Sequence, residues 1–146
     1  MSILGHTVIS LTAGCVMYNF HRSLACFLWF FIAGVFIDMD HYLDYYVYKR
    51  RISFALKKVH NTIKYGYMQF KKSFLILHSY ELIMLFWVLI FLLDLNIAWK
   101  YAAMGLTLHI FIDQLVNPTI LPFTYFLWFR IVNNFETNKL FVTKNS

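Results

Sequence analysis

The sequence predicts an all-α fold: a polytopic membrane helical bundle of about four transmembrane helices with an added basic interfacial helix. Three observations carry that expectation. Hydrophobic residues make up 60% of the 146 and charged residues 14%, with a mean hydropathy of +0.59, against about 45–50% apolar and about 25% charged in ordinary soluble domains. Such an excess exceeds what one buried core can hold, because a small domain leaves much of its surface to water. Five Gly and two Pro leave little room for turn-rich β architecture. The apolar residues also gather into runs approaching the ~20 residues of a membrane-spanning helix.

The first two runs, Thr7 to Phe20 and Ser23 to Ile37, are parted only by His21 and Arg22, which predicts a tight helical hairpin. No basic n-region precedes them, so a cleavable signal is not expected. Cys15 and Cys26 fall inside these runs and read as free, hydrophobic thiols. After the second run comes Asp38-Met39-Asp40-His41, then Tyr42, Tyr45, Tyr46 and Tyr48, a tyrosine density that suits a membrane interface. Lys49, Arg50, Arg51, Lys57, Lys58, Lys64, Lys71 and Lys72 follow with no acid among them. The positive-inside rule makes that segment cytoplasmic. Ile52, Leu56, Val59, Ile63, Tyr67 and Phe70 recur at helical spacing within it, the pattern of a helix lying on anionic lipid. A solvated loop with a few buried anchors is the competing reading.

Phe74 to Leu95 reads as the clearest transmembrane helix, with His78, Ser79 and Glu81 in its first turns and Asp94 and Asn96 ending it. A further helix returns from about Ala98 or Tyr101 to Val116 and stops at Asn117-Pro118. Thr119 to Val132, interrupted by Pro122, reads as a short interfacial or re-entrant segment. Residues 1–132 thus form one membrane-embedded domain, and residues 133–146 a polar C-terminal tail. Trp29, Trp87, Trp99 and Trp128 are expected in belts and packing, and His21 and His60 at the surface.

In an up-down-up-down bundle every helix brings its ionisable group to the cytoplasmic end. His6 opens the first helix, Asp38, Asp40 and His41 close the second, His78 and Glu81 open the third, and His109 and Asp113 lie late in the fourth. The opposite ends hold only His21, Arg22, Asp94 and Lys100. His109 and Asp113 are one turn apart on one face of an apolar helix, where ionisable groups are costly unless paired or bound to a metal. Imidazoles and carboxylates on facing helices are how bundles build metal sites. His6, Asp38, Asp40, His41, His78, His109 and Asp113 are therefore the candidate ligands, for zinc first and for manganese or iron as alternatives. Asp38 and His41 share a helical face and Asp40 points away. Glu81 or a free aspartate such as Asp40 is the candidate general base, taking a proton from a metal-activated water.

Gly5-His6, Asp38-Met39-Asp40-His41, Leu77-His78-Ser79 and Leu108-His109-Ile110-Phe111-Ile112-Asp113 with Pro118 downstream together resemble the YdjM-like family of bacterial inner-membrane proteins. That family is described as membrane-bound, metal-dependent hydrolases, with motifs GH, PDxDH, HRGxTHS and SHxxxD followed by proline. The resemblance implies a metal-dependent hydrolase of the bacterial inner membrane, acting at the membrane. Ile37 stands where the family motif has proline, and Ser73 to Leu77 replace the HRGxT half of the third motif. The expected function is hydrolysis of a lipid or phosphoester at the cytoplasmic interface, the substrate class following from the basic segment. The alternative is a non-catalytic, metal-stabilised scaffold or adaptor that binds anionic lipid or a protein partner. A transporter or proton relay is a third reading, for which four short helices leave little room. Expected partners are anionic membrane lipid near residues 49–72 and a second copy or other protein, with no nucleic acid.

Overall fold

The computed structural model describes residues 3–50, 70–117 and 120–142. Along the chain run α1 (Ile3–His21), α2 (Leu24–Phe36), α3 (Met39–Lys49), α4 (Tyr80–Leu92), α5 (Ile97–Val116), a 3-10 turn (Pro122–Tyr125), α6 (Leu127–Val132) and α7 (Thr137–Leu140). Among the described residues there is no strand. Two isolated bridges, Lys72 with Glu136 and Ile120 with Phe141, are the β-type pairings. The chain is all-α, as its composition predicts. Most of the expected basic helix, with His60, and also Pro118 lie outside the described residues.

The α1–α2 hairpin forms where the sequence breaks. Arg22 takes a left-handed conformation, φ 50°, and the Ser23 hydroxyl caps α2 by accepting from the Cys26 N–H at 3.4 Å. Cys26 is buried, Cys15 exposed, and both are free thiols. After α2 the chain passes through a turn at Ile37–Asp38 and continues as α3. Together Leu24–Lys49 form a stretch of 26 residues, within which an 18-residue window has a mean hydropathy of 1.6. Among the described residues this is the one helix long and apolar enough to cross a membrane.

The third apolar run differs from the expected helix over Phe74 to Leu95. Helix α4 starts at Tyr80, with Ser79 extended before it, so His78 sits on an irregular loop and not on a helical turn. The physical reason is that the backbone of residues 73–79 finds partners other than its own helix. The Asp44 carboxylate accepts from the Ser73 hydroxyl at 2.7 Å and from the Phe74 N–H at 2.9 Å. The Arg130 guanidinium, fully buried, donates to the carbonyls of Phe74 (2.8 Å), Leu75 and His78 (3.2 Å) and to the Ser79 hydroxyl. Irregular backbone is stable inside an apolar structure only where such groups satisfy it.

Helix α2 packs along α5, with α1 on α2 and α4 on α5. The α2–α5 crossing depends on two glycines. A Cβ added at Gly105 would lie 2.3 Å from the Phe30 carbonyl oxygen, and one at Gly34 would lie 3.4 Å from the Gly105 carbonyl oxygen and 3.0 Å from the Ser10 hydroxyl of α1, so the α2 and α5 backbones touch where side chains ordinarily intervene. Ile37, Ile83, Ile110 and Tyr125 form the core around the site end. Cys26, Phe30 and Tyr101 form a second core toward the hairpin end. The tail expected over 133–146 is packed as far as it is described: Leu140 is fully buried and joins Leu75 and Phe141 in a small cluster, and the Thr137 hydroxyl donates to the Phe70 carbonyl. Its polar residues lie around an apolar pair that anchors it.

Candidate metal centre

Six of the seven expected ligands converge. His6 near the start of α1, Asp38 at the α2–α3 turn, His41 in α3, His78 before α4, and His109 and Asp113 in α5 meet at one end of the bundle. They form two groups, His6–His109–Asp113 and Asp38–His41–His78, and within each group the donor atoms lie within 4.8 Å of one another. In the first, His6 Nε2 is 2.9 Å from Asp113 Oδ1 and His109 Nε2 is 3.6 Å from Asp113 Oδ2. In the second, Asp38 Oδ1 is 3.6 Å from His41 Nε2 and 3.8 Å from His78 Nε2. The groups are joined: His109 Nε2 lies 3.4 Å from Asp38 Oδ1, and His78 Nε2 lies 3.7 Å from Asp113 Oδ2. The imidazoles of His6 and His109 stack at 4.1 Å, and His78 meets His109 edge-on at 5.4 Å.

The donor set fits a metal ion. Nitrogen and oxygen donors about 2.1 Å from a shared ion stand roughly 3.4 Å apart in tetrahedral geometry, and the separations above bracket that value. The sharper observation is that His78 Nε2 and His109 Nε2 are buried without a hydrogen-bond partner. A buried polar atom left unsatisfied is costly, and these two both border the carboxylates of Asp38 and Asp113. Their other ring nitrogens explain the orientation. His109 Nδ1 lies 2.6 Å from the Gly34 carbonyl, which can only accept, so Nδ1 carries a proton and Nε2 is the nitrogen turned to Asp38 and Asp113. His78 Nδ1 lies 3.3 Å from Asp40 Oδ2, and the same oxygen accepts the His78 backbone N–H at 3.1 Å. A histidine whose far nitrogen is held by a carbonyl or carboxylate is the usual outer shell of a metal site.

Two expectations are therefore revised. Asp40, expected as a ligand and as a base, belongs to neither group; it holds His78 at Nδ1, the ring nitrogen other than the one near Asp38. Glu81, the other expected base, is turned toward α6: its carboxylate accepts from the Leu127 N–H at 2.8 Å and from the Trp128 N–H at 3.1 Å, supplying a cap that the α6 N-terminus otherwise lacks. The shared face with His78 that suggested catalysis does not exist, because α4 begins only at Tyr80.

Other residues at the site carry little sequence signal. Asn117 Nδ2 donates to Asp113 Oδ1 at 2.9 Å and lies 3.5 Å from the Tyr125 hydroxyl. Burial first, and the Asp113 charge second, push the Tyr125 phenol well above its ordinary pKa, so it stays neutral. Arg130 could have been found as a lone cation within Phe126 to Val132, and Asp44 as an acid among tyrosines. Gly34 and Gly105 had no such mark. No family model, curated protein or solved structure matches the chain.

Proposed function

We propose that the protein is a multi-pass, metal-dependent hydrolase of the bacterial inner membrane, acting at the cytoplasmic interface on a lipid or phosphoester substrate. The observation that carries the reading is the pair of buried, unpartnered imidazole nitrogens of His78 and His109 facing two carboxylates. Membrane placement is supported by the outer surface. Leu24, Leu28, Ile32 and Phe36 make an exposed apolar stripe along α2, and Met84, Leu85, Val88, Phe91 and Leu92 do the same on α4, while the buried interior holds the acids and histidines. A water-soluble domain distributes these the other way. Trp29 and Trp99, 5.1 Å apart at the hairpin end, and the exposed Trp128 at the site end suit two interfacial belts. Four spans follow if α1, α2 with α3, α4 and α5 each cross, and the basic loop puts the site end in the cytoplasm.

His6, His109 and Asp113 hold one ligand position set, and Asp38, His41 and His78 the other, for one ion or a pair. A divalent ion, zinc by the donor set with manganese or iron as alternatives, supplies Lewis acidity and brings the pKa of water toward neutrality. Asp40 and the Gly34 carbonyl keep His78 and His109 in the tautomer that presents Nε2. The Asp38 side chain is 14% exposed against 4% for Asp40 and 5% for Asp113, and is the carboxylate through which a proton reaches solvent. Hydrolysis adds water across the ester bond, the hydroxyl going to the phosphoryl or acyl centre and the proton to the leaving alkoxide.

Metal analysis of the protein purified in mild detergent tests the site. The wild type is expected to carry at least one ion per chain, and His109→Ala combined with Asp113→Asn to lose it. Near-zero metal in the wild type, or unchanged metal in the double variant, refutes the reading. The scaffold alternative is favoured by one observation: Arg130 is committed to backbone carbonyls of the 73–79 loop and so is turned from any substrate. A melting temperature that falls on chelation, together with no turnover of any lipid or phosphoester, would select it.

A further inference from the structure

Beside the candidate centre lies a cavity of about 290 Å³ lined by Phe36, Ile37, Leu77, Leu82, Ile83, Phe86 and Leu106, near the small end of the range typical of ligand pockets. Every lining residue is apolar. Two of them adjoin the site directly: Ile37 precedes Asp38, and Leu77 precedes His78, one Cα step of about 3.8 Å in each case. The outer rim is Phe36, 58% exposed, the last member of the stripe Leu24–Leu28–Ile32–Phe36 that covers the outside of α2. A path of apolar surface therefore runs from the outer face of the bundle, past Phe36, to the two residues that carry Asp38 and His78.

We propose that this groove takes the hydrocarbon chain of the substrate, so that the substrate is a membrane lipid whose phosphoester or carboxylic ester head reaches the Asp38–His41–His78 group. The inference rests on the hydrolase reading for what the head of the lipid meets, and not for where its chain lies. A soluble phosphoester has no use for an apolar groove opening on the outer surface. A chain seated there removes its methylenes from contact with polar groups at the site and leaves the ester beside the imidazoles. Such a pocket discriminates by length, since each methylene gained or lost in an apolar site changes kcat/KM by roughly tenfold or more.

The test uses the full-length, metal-loaded protein in mild detergent, with two probes. One is a medium-chain alkyl phosphate carrying a diazirine near the chain end, whose photolabelled residues are mapped by mass spectrometry. The other is a pair of alkyl p-nitrophenyl phosphodiesters, one long-chained and one short-chained. Label is expected to concentrate on Phe36, Leu82 and Leu106. Leu106→Trp and Leu82→Trp, which fill the groove from α5 and α4, are expected to lower that labelling and the long-to-short ratio of kcat/KM by about tenfold or more; retained metal stoichiometry shows that each variant is folded. Label spread over Leu24, Leu28 and Met84 and unmoved by either variant overturns the proposal, as does turnover whose chain-length ratio the variants leave unchanged; in the second case the hydrolase reading survives. Label concentrated in the groove while neither diester is turned over upholds the chain site and defeats the hydrolase reading instead.

Discussion

Replacing Gly105 by alanine bears directly on how the fold builds the site. Taken alone, the change favours the helix by about 0.5–1 kcal/mol, because glycine is a poor residue inside a helix. Against that, the new Cβ would stand 2.3 Å from the Phe30 carbonyl oxygen, and ordinary contact begins near 3.5 Å. Helices α2 and α5 must part by about 1 Å, an overpacking that typically costs about 1–3 kcal/mol. The net expectation is a loss of stability of about 1–2 kcal/mol. The larger effect falls on the centre. Gly105 is one turn from His109 and Gly34 one turn from Asp38, and the His109 Nδ1 contact with the Gly34 carbonyl is 2.6 Å. Parting the helices by about 1 Å lengthens it beyond hydrogen-bonding range, and losing such an outer partner lowers metal affinity by about 10–100-fold. Thermal unfolding in detergent with and without zinc, together with chelator competition, measures both effects. Gly14→Ala is the control. Its Cβ would meet side-chain carbons alone, Phe27 at 3.1 Å and Phe30 at an ordinary 3.5 Å, and the half-buried Phe27 ring can swing aside, so metal affinity should be unchanged. A Gly105→Ala protein that melts higher than wild type and holds zinc as tightly refutes the reasoning.

Arg130→Met should be the most damaging single change outside the centre, leaving the carbonyls of Phe74, Leu75 and His78 unsatisfied at about 1–3 kcal/mol each; proteolytic cleavage within residues 73–79 and a lower melting temperature report it, and Arg130→Lys should recover part of the loss. Glu81→Gln should lower stability by about 0.5–2 kcal/mol through a weakened cap of α6 while metal content and turnover stay near wild type; a fall in kcat of about 100-fold or more would instead return Glu81 to the role of general base. Asp40→Ala frees the His78 ring and should weaken zinc binding by about 10–100-fold in chelator competition, whereas adding Asp40→Ala to a His78→Ala protein should cost little more, because Asp40 acts through that one ligand.

The candidate ligands were legible because of where they stand. His109 and Asp113 interrupt an apolar helix, and Asp38, His41, His78 and His6 each mark the end of an apolar run; the cost of putting such groups out of water makes each one conspicuous before any contact is known. Glu81 is equally conspicuous, but an acid near His78 in sequence looks alike whether it faces a metal or, as here, accepts from the first N–H groups of α6. That distinction depends on where α4 begins, and Tyr80 is its first residue only because Asp44 and Arg130 satisfy the loop before it. Those partners lie 29 or more residues away along the chain from the groups they bind.

By itself, then, the sequence determined the class of the fold, the hairpin at Arg22-Ser23, the free thiols and seven candidate donors that include the six that converge, all of which follow from local polarity and helical spacing. The tertiary structure decided which acids face the centre, which nitrogen each key imidazole presents, and that residues 73–79 leave the helix. The physical reason is the same in each case. A tautomer, a cap or a satisfied carbonyl is set by a partner brought in from elsewhere in the chain, and at Gly34 and Gly105 that partner arrives because a side chain is missing.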